Sequence, residues 1–200
     1  METITFLPLV KAYPALSRKY GEVSCVAGVR IDNPRGPTWI RLYPVPFRAL
    51  SSDKQFAKYQ PISVKVATHG GDRRPETRRP DCDSIEKLGK PLPTTDAWQA
   101  RRRFVEPLMA GSMCEILRRQ ESDGISLGVF RPRRVHDIVI EAVDIEQEKV
   151  EIARAWAAQG SLLEGVEQDE RRCQRQALKQ VPWRFRYRYE CDEPGCKGHT

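Results

Sequence analysis

The sequence predicts an α+β protein: a small, curled, antiparallel β-barrel with a helical insertion and a C-terminal helical arm. Three observations support this prediction. Short segments with strand-like alternation, separated by Gly- and Pro-containing turns, follow one another through residues 1–68. Helical patterns then cover residues 96–119 and 146–179. With 200 residues, 40% of them hydrophobic, the chain can bury a core of this size.

The first four predicted strands precede residue 69. Apolar residues alternate along them, most clearly at Ile62, Val64 and Val66, and Pro or Gly residues lie between the segments. Strands this closely spaced predict a barrel or a strongly curled sheet. These strands cover residues 2–13, 22–31, 38–43 and 61–68.

The middle of the chain changes character. Residues 69–95 are polar, charged and rich in Pro and Gly, which predicts a long loop. In the helical insertion at 96–119, Asp96 is the expected N-cap. Pro107 is expected to split the insertion, with a second helix starting near Ser112.

Further strands are predicted at residues 125–130 and 135–143. Residues 183–189 alternate aromatic side chains with arginines, which predicts a strand with one aromatic and one cationic face. We expect the aromatic face to pack in a core. The predicted domains are a barrel with its insertion at 1–145, and a helical arm with the aromatic strand and a zinc knuckle at 146–200.

The sequence predicts a cytoplasmic protein with no membrane association. It has no run of about 20 apolar residues such as a membrane helix needs, and its N-terminus shows no secretory leader. Outside the pair at positions 191 and 196, the cysteines are scattered singly. We expect them to stay reduced.

The charge distribution predicts a nucleic-acid partner, either DNA or RNA. The net charge is +7, and residues 1–70 contain ten Lys and Arg against four Asp and Glu. The rest of the chain is nearly balanced, so we expect the phosphate-binding surface on the N-terminal barrel.

The residues predicted to contact nucleic acid are basic or aromatic. Arginine pairs with phosphate through two parallel hydrogen bonds, and aromatic rings stack on bases. Some of these side chains lie beside a Gly-Gly pair, where the backbone can approach phosphate closely. The predicted contacts are Arg41, Arg48, Trp39, Tyr43, Lys65, Arg73, Arg74, Arg78, Arg79, Arg184, Arg186 and Arg188.

The C-terminal sequence Cys191-x4-Cys196-x2-His199 predicts a zinc site. Two thiols and an imidazole within nine residues suit zinc, and the intervening glycines let the chain wrap around an ion. The alternative is a reduced turn without metal. A structural zinc site needs a fourth ligand. The candidates for it are Cys173, Cys82, His69, a water molecule or a residue after Thr200.

No complete catalytic motif is visible, so a binding protein is favoured over an enzyme. The main alternative is a nuclease or nucleotide hydrolase that uses His69, Asp72 and Glu76 as acid–base or metal-binding residues. A second alternative is a structural subunit whose basic surface binds an acidic protein. A component of a bacterial nucleic-acid-processing or defence system, working with other protein subunits, would suit the main prediction.

Several segments together resemble an uncharacterised bacterial protein family. They are RLYPVPFR at 41–48, Asp72-x-Arg74-x-Glu76, SLGVFRPRRV at 126–135, and Phe185-x-Tyr187-x-Tyr189-x-Cys191. The order of short strands, a helical insertion and the late strand V-x-D-I-V-I-E is also similar to the PUA/ASCH group of small barrels. That resemblance spans residues 1–145 and implies binding of RNA or modified bases, although fold analogy does not fix function.

Overall fold

The computed structural model describes residues 1–17, 21–144 and 181–200. The predicted helical arm at 146–179 and Cys173 lie outside these residues. The strands are β1 (Glu2–Lys11), β2 (Ala15–Ser17), β3 (Gly21–Arg30), β4 (Thr38–Val45), β5 (Ile62–Thr68), β6 (Thr77–Lys87), β7 (Arg134–Ala142) and β8 (Trp183–Glu190). The helices are α1 (Thr95–Val105) and α2 (Met113–Asp123), with 3₁₀ turns at Phe47–Ala49 and Glu106–Leu108.

Five strands close into a β-barrel. The hydrogen-bonded order is β1-β5-β6-β4-β3, and β3 pairs back onto β1 to complete the ring, while β2 extends β3. The pairs are antiparallel except β4 with β6, which run parallel where Arg41 faces Thr77 and Leu42 faces Arg78. The prediction of a small α+β barrel is confirmed, and the parallel pair makes it a mixed barrel.

Alternating apolar side chains fill the barrel interior. The alternation follows from the two-residue period of a strand, which points every second side chain inward. Gly28 on β3 permits close packing, since a Cβ there would lie 2.2 Å from the carbonyl oxygen of Leu7 and 2.7 Å from the ring of Phe6. The most deeply buried residues are Ile4, Phe6, Val26, Leu42, Val45, Ile62, Val64, Val66 and Ile85.

A second apolar cluster covers part of the outside of the barrel. Leu7, Leu9 and Val29 point outward and are buried, and Phe104 and Leu108 of the helical insertion pack against them. Further partly buried members of this cluster are Ile31, Trp39, Tyr59, Leu92 and Val105. The cluster fixes the insertion against the barrel wall.

The predicted loop at 69–95 is wrong, because it contains strand β6. Only Thr77, Pro80 and Ile85 of this strand are buried, and charged residues occupy six of its other eight positions. The strand forms because its backbone pairs with β5 on one side and β4 on the other. Because the composition of β6 is mostly charged, nothing in the sequence indicates that this segment pairs with β4 and β5.

The predicted strand at 125–130 is also wrong. Val129 makes one isolated bridge with Met109, and the segment lies against α2. A Cβ at Gly128 would lie 2.8 Å from the side chain of Ile116. This segment therefore follows the helix in extended form and pairs with no described strand.

The two-part helical insertion is confirmed. The first helix ends at Val105, and the second begins after Ser112, whose hydroxyl accepts a hydrogen bond from the backbone N–H of Glu115 at 2.9 Å. The predicted cap at Asp96 is wrong, because α1 starts at Thr95 and Asp96 lies inside it with a φ of 53°. No helix in the described ranges is both long and apolar enough to cross a bilayer.

Candidate functional site

Four potential metal ligands meet where α2 contacts the end of the chain. Their ligand atoms lie within 4.8 Å of one another and belong to Cys114, Cys191, Cys196 and His199. Cys191 is buried and the other three are partly buried. The structure therefore contains a Cys3His cluster that can hold a metal ion.

Local structure places each of these ligands. Cys114 is the second residue of α2, just after the Ser112 cap. Cys191 directly follows β8. Cys196 ends a turn in which its backbone N–H donates a hydrogen bond to the carbonyl of Glu193 at 3.1 Å. His199 is held by two backbone hydrogen bonds with Tyr189, at 2.7 and 3.0 Å.

Glu193 ties the metal-binding turn to the helix. Its carboxylate accepts hydrogen bonds from the hydroxyl of Ser112 and from the guanidinium of Arg118. These hydrogen bonds, that from Arg118 above all, hold the pKa of Glu193 below its usual value. The carboxylate thus stays charged and fixes the turn against the start of α2 without being one of the four ligands.

The distances between ligand atoms fit a tetrahedral ion. The sulfur of Cys191 lies 3.7 Å from that of Cys114 and 3.4 Å from that of Cys196, and the three sulfurs lie 3.4–3.7 Å from Nε2 of His199. Tetrahedral zinc with ordinary bond lengths requires about 3.8 Å between sulfurs and about 3.6 Å from sulfur to nitrogen. The observed cluster needs almost no rearrangement to accept such an ion.

The thiols of the cluster differ in acidity. Burial disfavours a thiolate at Cys191, but hydrogen bonds from the backbone at Cys114 and Glu193, together with the His199 ring, lower its pKa to about 5. Burial and the neighbouring thiols raise the pKa of Cys114 to about 11. A metal must therefore displace protons when it binds all three sulfurs.

The fourth ligand differs from the predicted candidates. Cys82 packs against the barrel core and His69 lies beside Tyr43, so neither belongs to the cluster. Cys114 takes this place, although 77 residues separate it from Cys191. Its position after a helix cap carries no metal-binding signal, and only the packing of α2 against the chain end reveals its role.

Strands β7 and β8 form a separate two-stranded sheet with two unlike faces. The register pairs Ile138 with Tyr187 and Ile140 with Phe185, and it continues to Trp183 on the same side. We call the surface formed by Ile138, Ile140, Trp183, Phe185 and Tyr187 the aromatic face. Its aromatic side chains are 50% exposed at Trp183, 61% at Phe185 and 60% at Tyr187.

The prediction that these aromatic residues pack in a core is wrong. Two strands form no closed layer, and no described element covers the aromatic face. Six apolar or aromatic residues of the sheet are at least half exposed. They are Val135, Ile138, Ile140, Trp183, Phe185 and Tyr187.

The arginines of β8 lie on the reverse face. Arg186 forms an ion pair with Glu141, and Arg188 pairs with Asp137 at 3.4 Å. Arg184 is exposed and faces Glu141 in the register. Two of the three arginines predicted to bind phosphate on this strand are therefore already paired with carboxylates.

Several of the basic and aromatic residues predicted to bind nucleic acid on the barrel already have partners in the protein. Arg41 lies 3.6 Å from Asp72, and Arg48 forms an ion pair with Glu22 at 2.9 Å. Trp39 packs in the outer apolar cluster and does not offer a free ring to a base. Tyr43 lies beside Arg41, with the guanidinium carbon 5.7 Å from its ring.

The remaining basic candidates on the barrel lie on β5, β6 and the loop between them. Lys65, Arg73 and Arg79 are exposed. Arg74 is 3.7 Å from Asp72, and Arg78 donates to the carbonyls of Pro75 and Thr77 at 2.7 and 2.9 Å. In the register of β5 and β6, Lys65 pairs with Asp81 and Arg79 pairs with Ala67.

The three predicted catalytic residues have structural partners. Asp72 accepts hydrogen bonds from the hydroxyl of Thr77 and the N–H of Arg74, both at 3.1 Å. Glu76 accepts from the N–H of Ser126 at 2.6 Å and from its hydroxyl at 2.5 Å. His69 accepts from the N–H of Gly71 at 3.2 Å. The N–H groups of Gly71, Asp72, Arg74 and Thr77 are thus used in hydrogen bonds within the loop.

Fold and site together define a mixed β-barrel protein with a Cys3His cluster beside an exposed two-stranded sheet. Residues 2–107 match a family described as a domain of unknown function, DUF8758, and residues 109–200 match the domain of unknown function DUF8757. The first match covers more than half of the 200 residues. The chain belongs to the DUF8758 family.

These matches agree with the predicted resemblance to an uncharacterised family. They meet at residue 108, within the helical insertion. The predicted division at residue 145 and the comparison with the PUA/ASCH group stay predictions. No curated protein and no solved structure matches the chain.

Proposed function

We propose that this protein binds single-stranded nucleic acid, with bases stacking on the aromatic face of the β7–β8 sheet. The observation that supports the proposal most strongly is the half or greater exposure of Trp183, Phe185 and Tyr187 on one side of one strand. Exposed large apolar surfaces in proteins mark interaction sites. Every base presents a flat ring that an aromatic side chain can stack on.

The spacing of these rings favours a single strand over a duplex. Successive residues on one face of a strand are about 6.7 Å apart, because each residue rises about 3.3–3.4 Å. Stacked bases in duplex DNA rise about 3.4 Å per step. A nucleic-acid single strand whose bases are separated from one another can place one base on each aromatic ring. In a duplex, each base is stacked on its neighbours, so its faces are not available to the rings.

The charge around the sheet also suits a polyanion. Residues 131–142 and 183–190 carry six arginines against three carboxylates. Arg131 and Arg134 are exposed just before and at the start of β7, and Arg184 is exposed on β8. In the register, Arg134 and Arg184 lie on the reverse face of the sheet, so phosphates of a single strand on the aromatic face would meet these long side chains only at the edges of the sheet.

Within the same proposal, the metal of the Cys3His cluster is zinc with a structural role. Three thiolates and one imidazole form a common closed zinc site, which leaves no position for substrate. The ion would fix the chain after β8 to α2 and so hold the aromatic face in place. A reducing compartment such as the cytoplasm would keep the thiols available as ligands.

The nuclease alternative has weaker support. Asp72 and Glu76 are engaged by Thr77, Arg74 and Ser126. Among the described residues, the one group of three or more potential metal ligands within 4.8 Å is the cysteine cluster, to which these carboxylates do not belong. A protein partner with an acidic surface would pair with the arginines, but it would not account for the exposure of the aromatic rings.

The proposal is tested with fluorescently labelled single-stranded DNA and RNA and a duplex of the same sequence. We expect single strands to bind more tightly than the duplex, with an affinity that falls log-linearly as salt rises. Phe185→Ala should weaken single-strand binding roughly 5- to 150-fold, since one stacked base contributes about 1–3 kcal/mol.

Trp98→Ala is a matched control for Trp183→Ala, because both tryptophans are about half exposed and Trp98 lies on α1. The control should bind as the wild type does. Undetectable binding of both single strands at low salt would refute the proposal. Equal losses in the Trp98 and Trp183 variants would refute the assignment to the aromatic face.

A further inference from the structure

Three buried side-chain atoms on one side of the barrel have no hydrogen-bond partner among the described residues. They are Nη1 of Arg41, Nε2 of His69 and Oε2 of Glu76. Glu76 as a whole is only 7% exposed. A buried polar atom without a hydrogen-bond partner destabilises the folded protein by about 1–3 kcal/mol. Three such atoms in one region therefore indicate a binding site for a polar ligand.

The three residues belong to one connected region on the outside of β4 and β6. The backbone N–H of Arg41 donates to the carbonyl of Glu76 at 3.0 Å, and Nη1 of Arg41 lies 3.6 Å from Oδ2 of Asp72, an ion pair that is too long for a hydrogen bond. The ring of Tyr43 lies 6.0 Å from the ring of His69. Asp72 and His69 are linked by a backbone hydrogen bond of 3.3 Å. The ring of Tyr43 thus lies beside the ring that carries one of the unpartnered atoms.

Hydrogen-bond chemistry defines what each atom requires. Nδ1 of His69 accepts a hydrogen bond from the N–H of Gly71, which leaves Nε2 as the hydrogen-bond donor of the ring. His69 and Arg41 therefore offer donors, and the free oxygen of Glu76 offers an acceptor. The site requires a partner that accepts two hydrogen bonds and donates one.

This pattern excludes the simplest ligands. Arg41 and Arg74 balance the carboxylates of Asp72 and Glu76, so the site offers no excess positive charge to an anion, and an anion without protons cannot donate to Glu76. The N–H groups of Arg41 and His69 would repel a metal cation. A neutral group that carries a carbonyl next to an N–H satisfies all three atoms.

We propose that the Arg41, His69 and Glu76 cluster binds a small neutral lactam or carboxamide. Its carbonyl would accept from Arg41 and His69, and its N–H would donate to Glu76. The group could belong to a nucleobase such as uracil or to a free carboxamide. This site lies on the barrel, away from the aromatic face, and does not depend on the proposed function.

The test measures binding of uridine, 3-methyluridine and nicotinamide to the full chain by calorimetry. Uridine carries a carbonyl beside an N–H, 3-methyluridine keeps the carbonyls but has a methyl group in place of that hydrogen, and nicotinamide is a free carboxamide. Glu76→Gln keeps the oxygen that Ser126 uses and changes the acceptor Oε2 into a donor. We expect Glu76→Gln to weaken binding roughly tenfold or more.

Glu106→Gln is the control, because Glu106 is exposed, pairs with Arg102 and caps the C-terminal end of α1. If Glu76→Gln unfolds the protein, His69→Phe keeps a ring beside Tyr43 and removes the Nε2 donor, together with the Nδ1 acceptor that the N–H of Gly71 uses. It should weaken binding by a similar factor.

Uridine binding that Glu76→Gln or His69→Phe abolishes would support the proposal with a nucleobase as the source. The same result with nicotinamide would support it with a small carboxamide. No binding of uridine and nicotinamide to the wild type would overturn it. So would binding of 3-methyluridine as tight as that of uridine, or affinities that neither variant changes.

Discussion

Replacement of Cys114 tests the one potential metal ligand of the cluster that could not be predicted from the sequence. Cys114→Ala takes away one of four ligands and opens the metal-mediated link between α2 and the chain after β8. Loss of a residue that only orients a ligand already costs about 10–100-fold in metal affinity. Loss of a ligand itself should therefore weaken zinc binding more than about 100-fold.

The effect on stability follows from the length of chain that the ion closes. For the 77-residue separation of Cys114 and Cys191, loop-closure entropy corresponds to about 4.5 kcal/mol, which is an upper bound. In a chain of this size, that loss would lower the melting temperature by roughly 9–18 °C. The hydrogen bonds of Glu193 with Ser112 and Arg118 remain and should limit the damage to the chain end.

The assay combines metal analysis with calorimetric melting, with and without a chelator. Chelation should lower the melting temperature of the wild type and leave the Cys114→Ala variant almost unchanged. Cys82→Ala is the control for loss of a cysteine, since Cys82 packs against the barrel core and lies outside the cluster. Wild-type zinc affinity in the Cys114→Ala variant would refute the assignment of the fourth ligand.

Three further predictions concern the barrel. Gly28→Ala should prevent folding or destabilise the protein by more than about 3 kcal/mol, because its Cβ would meet the backbone of β1; a soluble variant with wild-type urea unfolding would contradict this. Ser126→Ala should cost about 1–2 kcal/mol in urea unfolding, since it removes one of two hydrogen bonds to the buried carboxylate of Glu76; Ser122→Ala, on an exposed position, is its control. Burial raises the pKa of Cys82 from 9.0 to about 11, which favours the neutral thiol in the folded state, so this stabilisation is complete below pH 9 and is lost as the pH rises to 11. The free energy of unfolding of the wild type should therefore fall by more than that of Cys82→Ala between pH 9 and 11. Equal decreases in the two proteins would contradict this prediction.

The barrel could be predicted because its strands carry the period of a sheet with one buried face. Ile62, Val64 and Val66 point inward, as their alternation predicts. The strand β6 escaped prediction because its pairing comes from backbone contacts with β4 and β5, while its side chains are mostly charged. Tertiary pairing there overrides a composition that is typical of loops.

Three of the four metal ligands could be predicted for a local reason. Cys191, Cys196 and His199 are near one another in sequence, so a short turn brings them together. Cys114 reaches the cluster through the packing of a helix, which leaves no mark in sequence spacing. The exposure of Trp183 likewise depends on how many strands the sheet has, and alternation alone does not report that number.

The most direct test of the proposed function is the fluorescence of Trp183 during titration with a single-stranded oligonucleotide of about ten nucleotides. A base that stacks on this ring should quench its emission as the complex forms. We expect saturable quenching in the wild type and in Trp98→Phe, with the same midpoint as the binding curve. The quenching should disappear in Trp183→Phe. Binding without any quenching, or quenching that persists in Trp183→Phe, would contradict a base-stacking role for the aromatic face.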